Sequence, residues 1–218
     1  GFRKAHSTEH AVLELVDRVI NDMDKGANPF SIFIDLSKAF DCLDHDILLD
    51  KLKFYGLSEN AVLLLRNYLS NRKQYISYNN NTSSSDMANI NIGVPQGSIL
   101  GPFLFLVYMN DFHHSSEIFN MVNYADDTTL LSTINFFTNP PDQSIDSELV
   151  KVSTWLHANK MKINVSKSKA LFYSPHQKSI NPPIITLNNE VIERVDHFCY
   201  LGIVIDQHLS WKLHISKI

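Results

Sequence analysis

Met121-Val122-Asn123-Tyr124-Ala125-Asp126-Asp127-Thr128-Thr129-Leu130-Leu131 is the stretch on which the reading of this chain turns. Two apolar, β-prone runs flank two adjacent carboxylates. Runs of this kind around a short polar centre predict a β-hairpin with Asp126-Asp127 at its tip. Asp tolerates turn geometry, so a solvated turn would account for either residue alone. The pair is harder to explain that way. Two like charges side by side repel, and Asn-Gly or Asp-Gly would close the same turn at lower cost. A cation held there removes the conflict.

Working outward, residues 30–36, Phe-Ser-Ile-Phe-Ile-Asp-Leu, read as a strand rich in β-branched and aromatic residues. Asp35 sits at its C-terminal end, where α/β proteins place their chemistry. An Asp at a strand end often does no more than cap the next turn. If the two strands are neighbours, however, Asp35, Asp126 and Asp127 come together, and even one desolvated charge costs several kcal/mol. Magnesium answers that cost. It is hard, prefers oxygen, and is held by one or two carboxylates plus substrate phosphates. Two such ions about 4 Å apart stabilise the attacking and leaving oxygens of an in-line displacement at phosphorus.

Three weaker signals surround this one. Phe40 follows Asp35 closely and offers a ring to a sugar, though an aromatic there is equally a core residue. Gly93-Val94-Pro95-Gln96-Gly97 is a turn whose glycines allow close backbone approach, with a Gln suited to a sugar or base edge. The loop carrying Lys160, Lys162, Lys167 and Lys169 would neutralise a triphosphate and donate a proton to pyrophosphate. A charged loop of that kind is otherwise simply solvated.

Composition bounds the remaining choices. The chain has 218 residues, 44% hydrophobic and 19% charged, which suits a folded chain with a substantial core. Its net charge of −4 argues against a general polyanion binder, though a local basic surface remains compatible with it. No apolar run approaches the ~20 residues of a membrane span, so no membrane partner is expected. No signal-peptide pattern opens the chain. Cys42 and Cys199 make no framework and imply reduced, intracellular thiols. The start at Gly1 without Met, and the end at Ile218 within an apparent helix, suggest a fragment of something longer.

Along the chain, Ser7 or Thr8 caps a first helix that stops at Gly26. Helices are expected from about Asp46 to Tyr55 and after Ser58. Residues 73–78 and 87–92 form strands around a mobile polar loop, Asn79 to Ser85. An apolar helix follows Ser98 to about Asp111. Pro140-Pro141 breaks the chain, and Asp142 opens an amphipathic helix with Ile145, Leu149, Val152 and Leu156 on one face. A strand at 170–173, a hairpin at Asn188-Asn189, a last strand at 198–205 and a helix after Ser210 complete the chain. The irregular alternation with hairpins makes the class α+β.

These stretches together resemble the reverse transcriptase family. Phe33-Ile34-Asp35-Leu36-Ser37-Lys38-Ala39-Phe40-Asp41 is similar to motif A. Gly93-Val94-Pro95-Gln96-Gly97-Ser98-Ile99-Leu100-Gly101-Pro102 is similar to motif B, and Tyr124-Ala125-Asp126-Asp127 to motif C. Met161 to Lys169 looks like motif D, Tyr200-Leu201-Gly202-Ile203 like motif E, and Gly1-Phe2-Arg3-Lys4 like the fingers motif upstream of motif A. Asp44-His45 and Leu209-Ser210-Trp211-Lys212 are most similar to LINE-type (non-LTR) retrotransposons.

The resemblance implies a right-hand polymerase palm, an antiparallel sheet packed on helices, with part of the fingers and without the thumb. The segments would be 1–30 fingers remnant, 31–44 palm with motif A, 45–97 fingers-side helices and hairpin, 98–197 palm, and 198–218 primer grip and start of the thumb. Asp35, Asp126 and Asp127 would be catalytic and would hold two Mg²⁺ ions, with Asp35 and Asp126 as the main ligands, Asp127 as the third carboxylate and the Leu36 carbonyl as a further oxygen. Phe40 would exclude the ribose 2′-OH. Gln96 and Gly97 would line the nucleotide pocket, with Lys167 near the triphosphate, Lys169 as a substitute, and Arg3 at the nucleotide or template.

The implied activity is RNA-directed DNA polymerisation on an RNA template from a DNA primer and dNTP. It belongs to a transposable element found in nucleus and cytoplasm, with flanking thumb and endonuclease domains. A fragment alone would be poorly active. A bacterial, group II intron-like enzyme, or a decayed or co-opted copy that at most binds RNA, are the alternatives.

Overall fold

The structure, a computed structural model, describes residues 1–2, 5–78, 83–134, 143–174 and 182–218. Arg3 and Lys4, residues 79–82 of the polar loop, and Pro140-Pro141 with Asp142 lie outside the described residues. The first half of the chain gives α1 (Thr8–Asp24), β1 (Asn28–Ile34), α2 (His45–Phe54), α3 (Glu59–Leu69), β2 (Arg72–Gln74), β3 (Ser77–Tyr78), β4 (Ser83–Ser84), β5 (Ala88–Ile90) and α4 (Leu100–Met109). The second half gives β6 (Asn120–Tyr124), β7 (Asp127–Ile134), α5 (Gln143–Ala158) and β8 (Lys169–Phe172). After these come β9 (Thr186–Leu187), β10 (Glu190–Val191), β11 (Glu193–Val195), β12 (His197–Tyr200), β13 (Ile203–Asp206) and α6 (Lys212–Lys217).

Two compact units share these elements: residues 1–37, 111–158 and 162–218 form the first, and 38–110 with 159–161 the second. α1 belongs to the first unit and α4 to the second.

In the first unit, five strands lie in the order β11-β8-β1-β7-β6. Every residue of the central strand β1 is buried, because both faces of the sheet are covered there. On one face Val12, Leu15, Val16 and Val19 of α1 pack with Phe33, Leu131, Leu171 and Tyr173, joined by Tyr200 and Ile205. α1 starts at a capping box in which Ser7 accepts from the His10 amide and the His10 ring reaches back to the Ser7 amide. Gly26, at φ 77°, ends it as expected.

Two expectations need correction. The sheet is mixed, not purely antiparallel: β11 pairs parallel to β8, while β1/β7, β1/β8 and β6/β7 are antiparallel. The β9–β10 hairpin lies between β8 and β11 in the chain, which allows the longer crossover a parallel pair needs. The expected last strand is two strands, β12 and β13, paired as a hairpin. Leu201 (φ 47°) and Gly202 (φ 88°) make its two-residue turn. A tight turn with both central residues at positive φ matches the strand twist. The motif E stretch therefore sits at a hairpin tip. Asn188 and Asn189, both at positive φ, make the β9–β10 turn as the sequence predicts.

In the second unit, Asp44 caps α2 by accepting from the Asp46 and Ile47 amides, and it pairs with Lys160 Nζ at 2.6 Å. Burial opposes ionisation of Asp44, but the Lys160 bond and the two amides outweigh it and hold its carboxyl below the usual range. Ser58 caps α3 as expected. The strands expected at 73–78 and 87–92 appear as two short ladders, β2–β5 and β3–β4.

Candidate active site

Tyr124 pairs with Asp127, so the turn between β6 and β7 is Ala125-Asp126 and Asp127 is the first residue of β7. The acidic pair therefore straddles the tip instead of forming it. Ala125 takes φ 55°. A non-glycine residue held there costs on the order of 1–3 kcal/mol, a strain typical of functional turns.

Asp35 is the first residue past β1. Because Ile34 stands opposite Thr128, Asp35 and Asp127 leave their strands at the same end. Both line one cavity of about 60 Å³, together with Thr128, Thr129, Lys167 and Tyr200. Partial burial of the Asp127 carboxylate, then the charges of Asp126 and Asp35, push it above the usual carboxylate range. Asp126 and Asp127 both keep exposed surface, but Asp126 is not among the residues lining the cavity.

The lysine loop is tied to the backbone around Asp35. Asn164 N–H donates to Asp35 O, and Ser37 N–H donates to Lys162 O, each at 2.8 Å. Ser168 Oγ accepts from the Asp35 amide at 3.1 Å and donates to Asn164 O at 2.9 Å. These bonds bring Lys167 to the cavity. Lys169 is instead paired with Glu193 at 2.6 Å. The antiparallel bridge from Leu36 to Ile163 is closed by Asp35 O and Ser37 N, so the Leu36 carbonyl oxygen is not spent on it.

Phe40, Gln96 and Gly97 belong to the second unit. The Phe40 ring stacks on Phe105 of α4, with centroids 4.4 Å apart. Gln96 Nε2 donates to Asp41 Oδ1 at 2.9 Å. Gly97 takes φ 77° with open space around it. Gly93 and Val94 donate to Leu43 O and Phe40 O, which stitches the glycine-bracketed turn to the segment after Asp35.

Sequence reasoning missed Ser168, Thr129, Tyr200 and Asp41 as parts of these surroundings. The signal for Thr128-Thr129 was present: two hydroxyl residues open a run that is otherwise apolar.

Among the described residues, no group of three or more His, Cys, Asp or Glu side chains is arranged to hold a metal ion. The donors that share the cavity, the Asp35 and Asp127 carboxylates, are both oxygen. The like-charge pressure on Asp127 is what a hard cation relieves. The donor chemistry fits magnesium.

The family model for reverse transcriptase (RNA-dependent DNA polymerase) matches residues 1–205. The chain belongs to the reverse transcriptase family. This reverse transcriptase chain is 28% identical over 229 residues to the probable RNA-directed DNA polymerase from transposon BS of Drosophila melanogaster, covering 99% of the chain and 24% of that protein. It is 26% identical over 225 residues to the RNA-directed DNA polymerase from mobile element jockey of Drosophila funebris, covering 100% of the chain and 24% of that protein. The chain thus spans about a quarter of the length of the curated relatives it matches. Apo telomerase from Candida tropicalis shares the fold, with a TM-score of 0.58 at 15% identity, covering 94% of this chain and 39% of that one.

Proposed function

We propose that this chain is the polymerase palm, with part of the fingers, of an RNA-directed DNA polymerase from a LINE-type mobile element. The observation that carries the reading is the meeting of Asp35 and Asp127 at one strand end, around a cavity that Lys167 also lines. In the reaction a primer 3′-OH attacks the α-phosphate of a dNTP directed by an RNA template, and pyrophosphate leaves. Two magnesium ions, when bound, supply the charge that stabilises the attacking and leaving oxygens.

The residues divide this work. Asp35 would hold the cations with the acidic pair and the Leu36 carbonyl. The resemblance makes Asp126 the second main ligand and Asp127 the third carboxylate, whereas the cavity lining favours Asp127 for the larger share. Lys167 neutralises the triphosphate and gives a proton to the departing pyrophosphate. Phe40, braced on Phe105, excludes a ribose 2′-OH. Gln96 and Gly97 line the nucleotide pocket. Thumb and endonuclease segments of a longer polypeptide are the expected neighbours. The intact carboxylates favour this reading over a decayed copy.

The test is primer extension on a poly(A) template with oligo(dT), magnesium and dTTP, measured on a longer polypeptide that adds fingers and thumb segments to this chain. Incorporation is expected, with Asp35→Asn abolishing it. Extension by that variant at the parent rate overturns the assignment.

A further inference from the structure

Four buried hydroxyls have no hydrogen-bond partner among the described residues; Ser115 lies elsewhere and Thr128 alternates to the other face of β7, which leaves two on the Asp127 side. They are Thr129 Oγ1 and Tyr200 Oη, on residues 0% and 2% exposed. Both residues line the cavity that holds Asp35 and Asp127. Buried polar groups are nearly always satisfied, so two orphans facing one polar cavity point to something bound there.

The strand geometry puts them on the right side. Thr129 and Asp127 are two residues apart on β7 and so share a face. Phe33 stands opposite Thr129 on β1, and the Tyr200 ring packs on Phe33 at 5.4 Å. Tyr200 Oη thus lies close to Thr129, without completing a bond of proper geometry to it. The gap suits water. A cavity of about 60 Å³ is above the roughly 10–15 Å³ that one water needs, and it offers several polar partners.

We propose that Thr129 and Tyr200 hold ordered water that hydrogen-bonds the Asp127 carboxylate, making Tyr200 a positioning residue for the cation-holding carboxylates. Tyr200 O–H donates to a water, and the water donates to Asp127, which as a carboxylate can only accept. Thr129 Oγ1 supplies a further anchor. A carboxylate fixed in this way presents its free lone pairs to a cation without first losing side-chain freedom. The inference rests on the metal reading of Asp35 and Asp127 given above.

The experiment is calorimetric titration of the whole chain with Mn²⁺, a cation that favours the same oxygen donors. The variants are Tyr200→Phe, Thr129→Val and Thr129→Ser, with Asp127→Asn as control and near-UV circular dichroism to establish folding. Loss of such an outer hydrogen-bond partner weakens metal affinity by about 10- to 100-fold. That rise in Kd is expected for Tyr200→Phe and Thr129→Val, while Thr129→Ser, which keeps the hydroxyl, stays within about twofold of the parent. A merely structural role for the two side chains would shift Tm and leave Kd alone. If the parent binds Mn²⁺, Asp127→Asn does not, and Tyr200→Phe and Thr129→Val bind as the parent does, the water-mediated role is overturned while the metal reading stands. If the parent binds no Mn²⁺, both fall.

Discussion

Ile34 stands directly opposite Thr128 in the antiparallel pairing of β1 with β7. That one pairing brings Asp35 and Asp127 out at the same end of the sheet. A slip of one residue would turn every side chain of β7 to the other face and separate the two carboxylates.

Asp127 is raised above the usual range by its own burial and by Asp126 and Asp35, so the fold favours its protonated form. Its contribution to stability is therefore fully present below the unfolded value and lost as pH rises through the raised folded one. Asp127→Asn keeps the shape and removes the repulsion. Above that value the variant should be at least as stable as the parent by thermal unfolding, yet lose incorporation by more than about a hundredfold.

Glu148 of α5 reaches across to the turn before β6. It accepts from Ser116 Oγ and the Glu117 amide and pairs with Lys151. Burial alone would raise its pKa, but these partners outweigh it and bring it down to about 2. The sign is opposite to that of Asp127: its stabilisation is present above the ordinary value of 4.5 and is lost as pH falls toward about 2. Glu148→Gln should cost about 1–3 kcal/mol at neutral pH. In urea titrations from neutral pH downward, the gap to the parent should close across that window.

Asp206 organises the turn after β13 by accepting from the His208, Ser210 and Trp211 amides and from Ser210 Oγ. Burial opposes its ionisation, but these donors outweigh it and hold its carboxyl below the usual range. Trp211 is held at φ 61° immediately before α6. Asp206→Ala should cost about 1.5–3 kcal/mol. Trp211 emission should shift to the red, read in a Trp155→Phe background.

A methyl group at Gly93 would lie 2.8 Å from the Asp41 carbonyl oxygen, and φ there is +80°. Gly93→Ala meets backbone that cannot swing away, so overpacking of about 1–3 kcal/mol is expected in denaturant unfolding. The same change at Gly97 meets open space and carries only the conformational cost of its φ of 77°. It should destabilise the chain less than Gly93→Ala does.

Phe40 owes its ring position to the stack on Phe105. Phe40→Val removes both the ring and its brace. Ribonucleotide incorporation relative to deoxyribonucleotide should rise, measured by primer extension with each nucleotide at matched concentration.

The helix caps at Ser7 and Ser58, the stop at Gly26, the Asn188-Asn189 turn and the strand ending at Asp35 are legible in the chain itself, because each depends on neighbours a few positions away. So are the acidic pair and the lysine loop as chemical groups. Three other features depend on strand pairing and were not legible: Asp127 as a strand residue behind an Ala125-Asp126 turn, the parallel entry of β11, and the fold-back at Leu201-Gly202. The sequence alone specified which side chains carry charge and which local turns the backbone makes. Only tertiary structure decided that Lys167 reaches the cavity while Lys169 is taken by Glu193, and that Tyr200 and Thr129 meet behind Asp127. Those outcomes follow from register and burial, in which a hydroxyl's surroundings are set by residues distant in the chain and no local pattern encodes them.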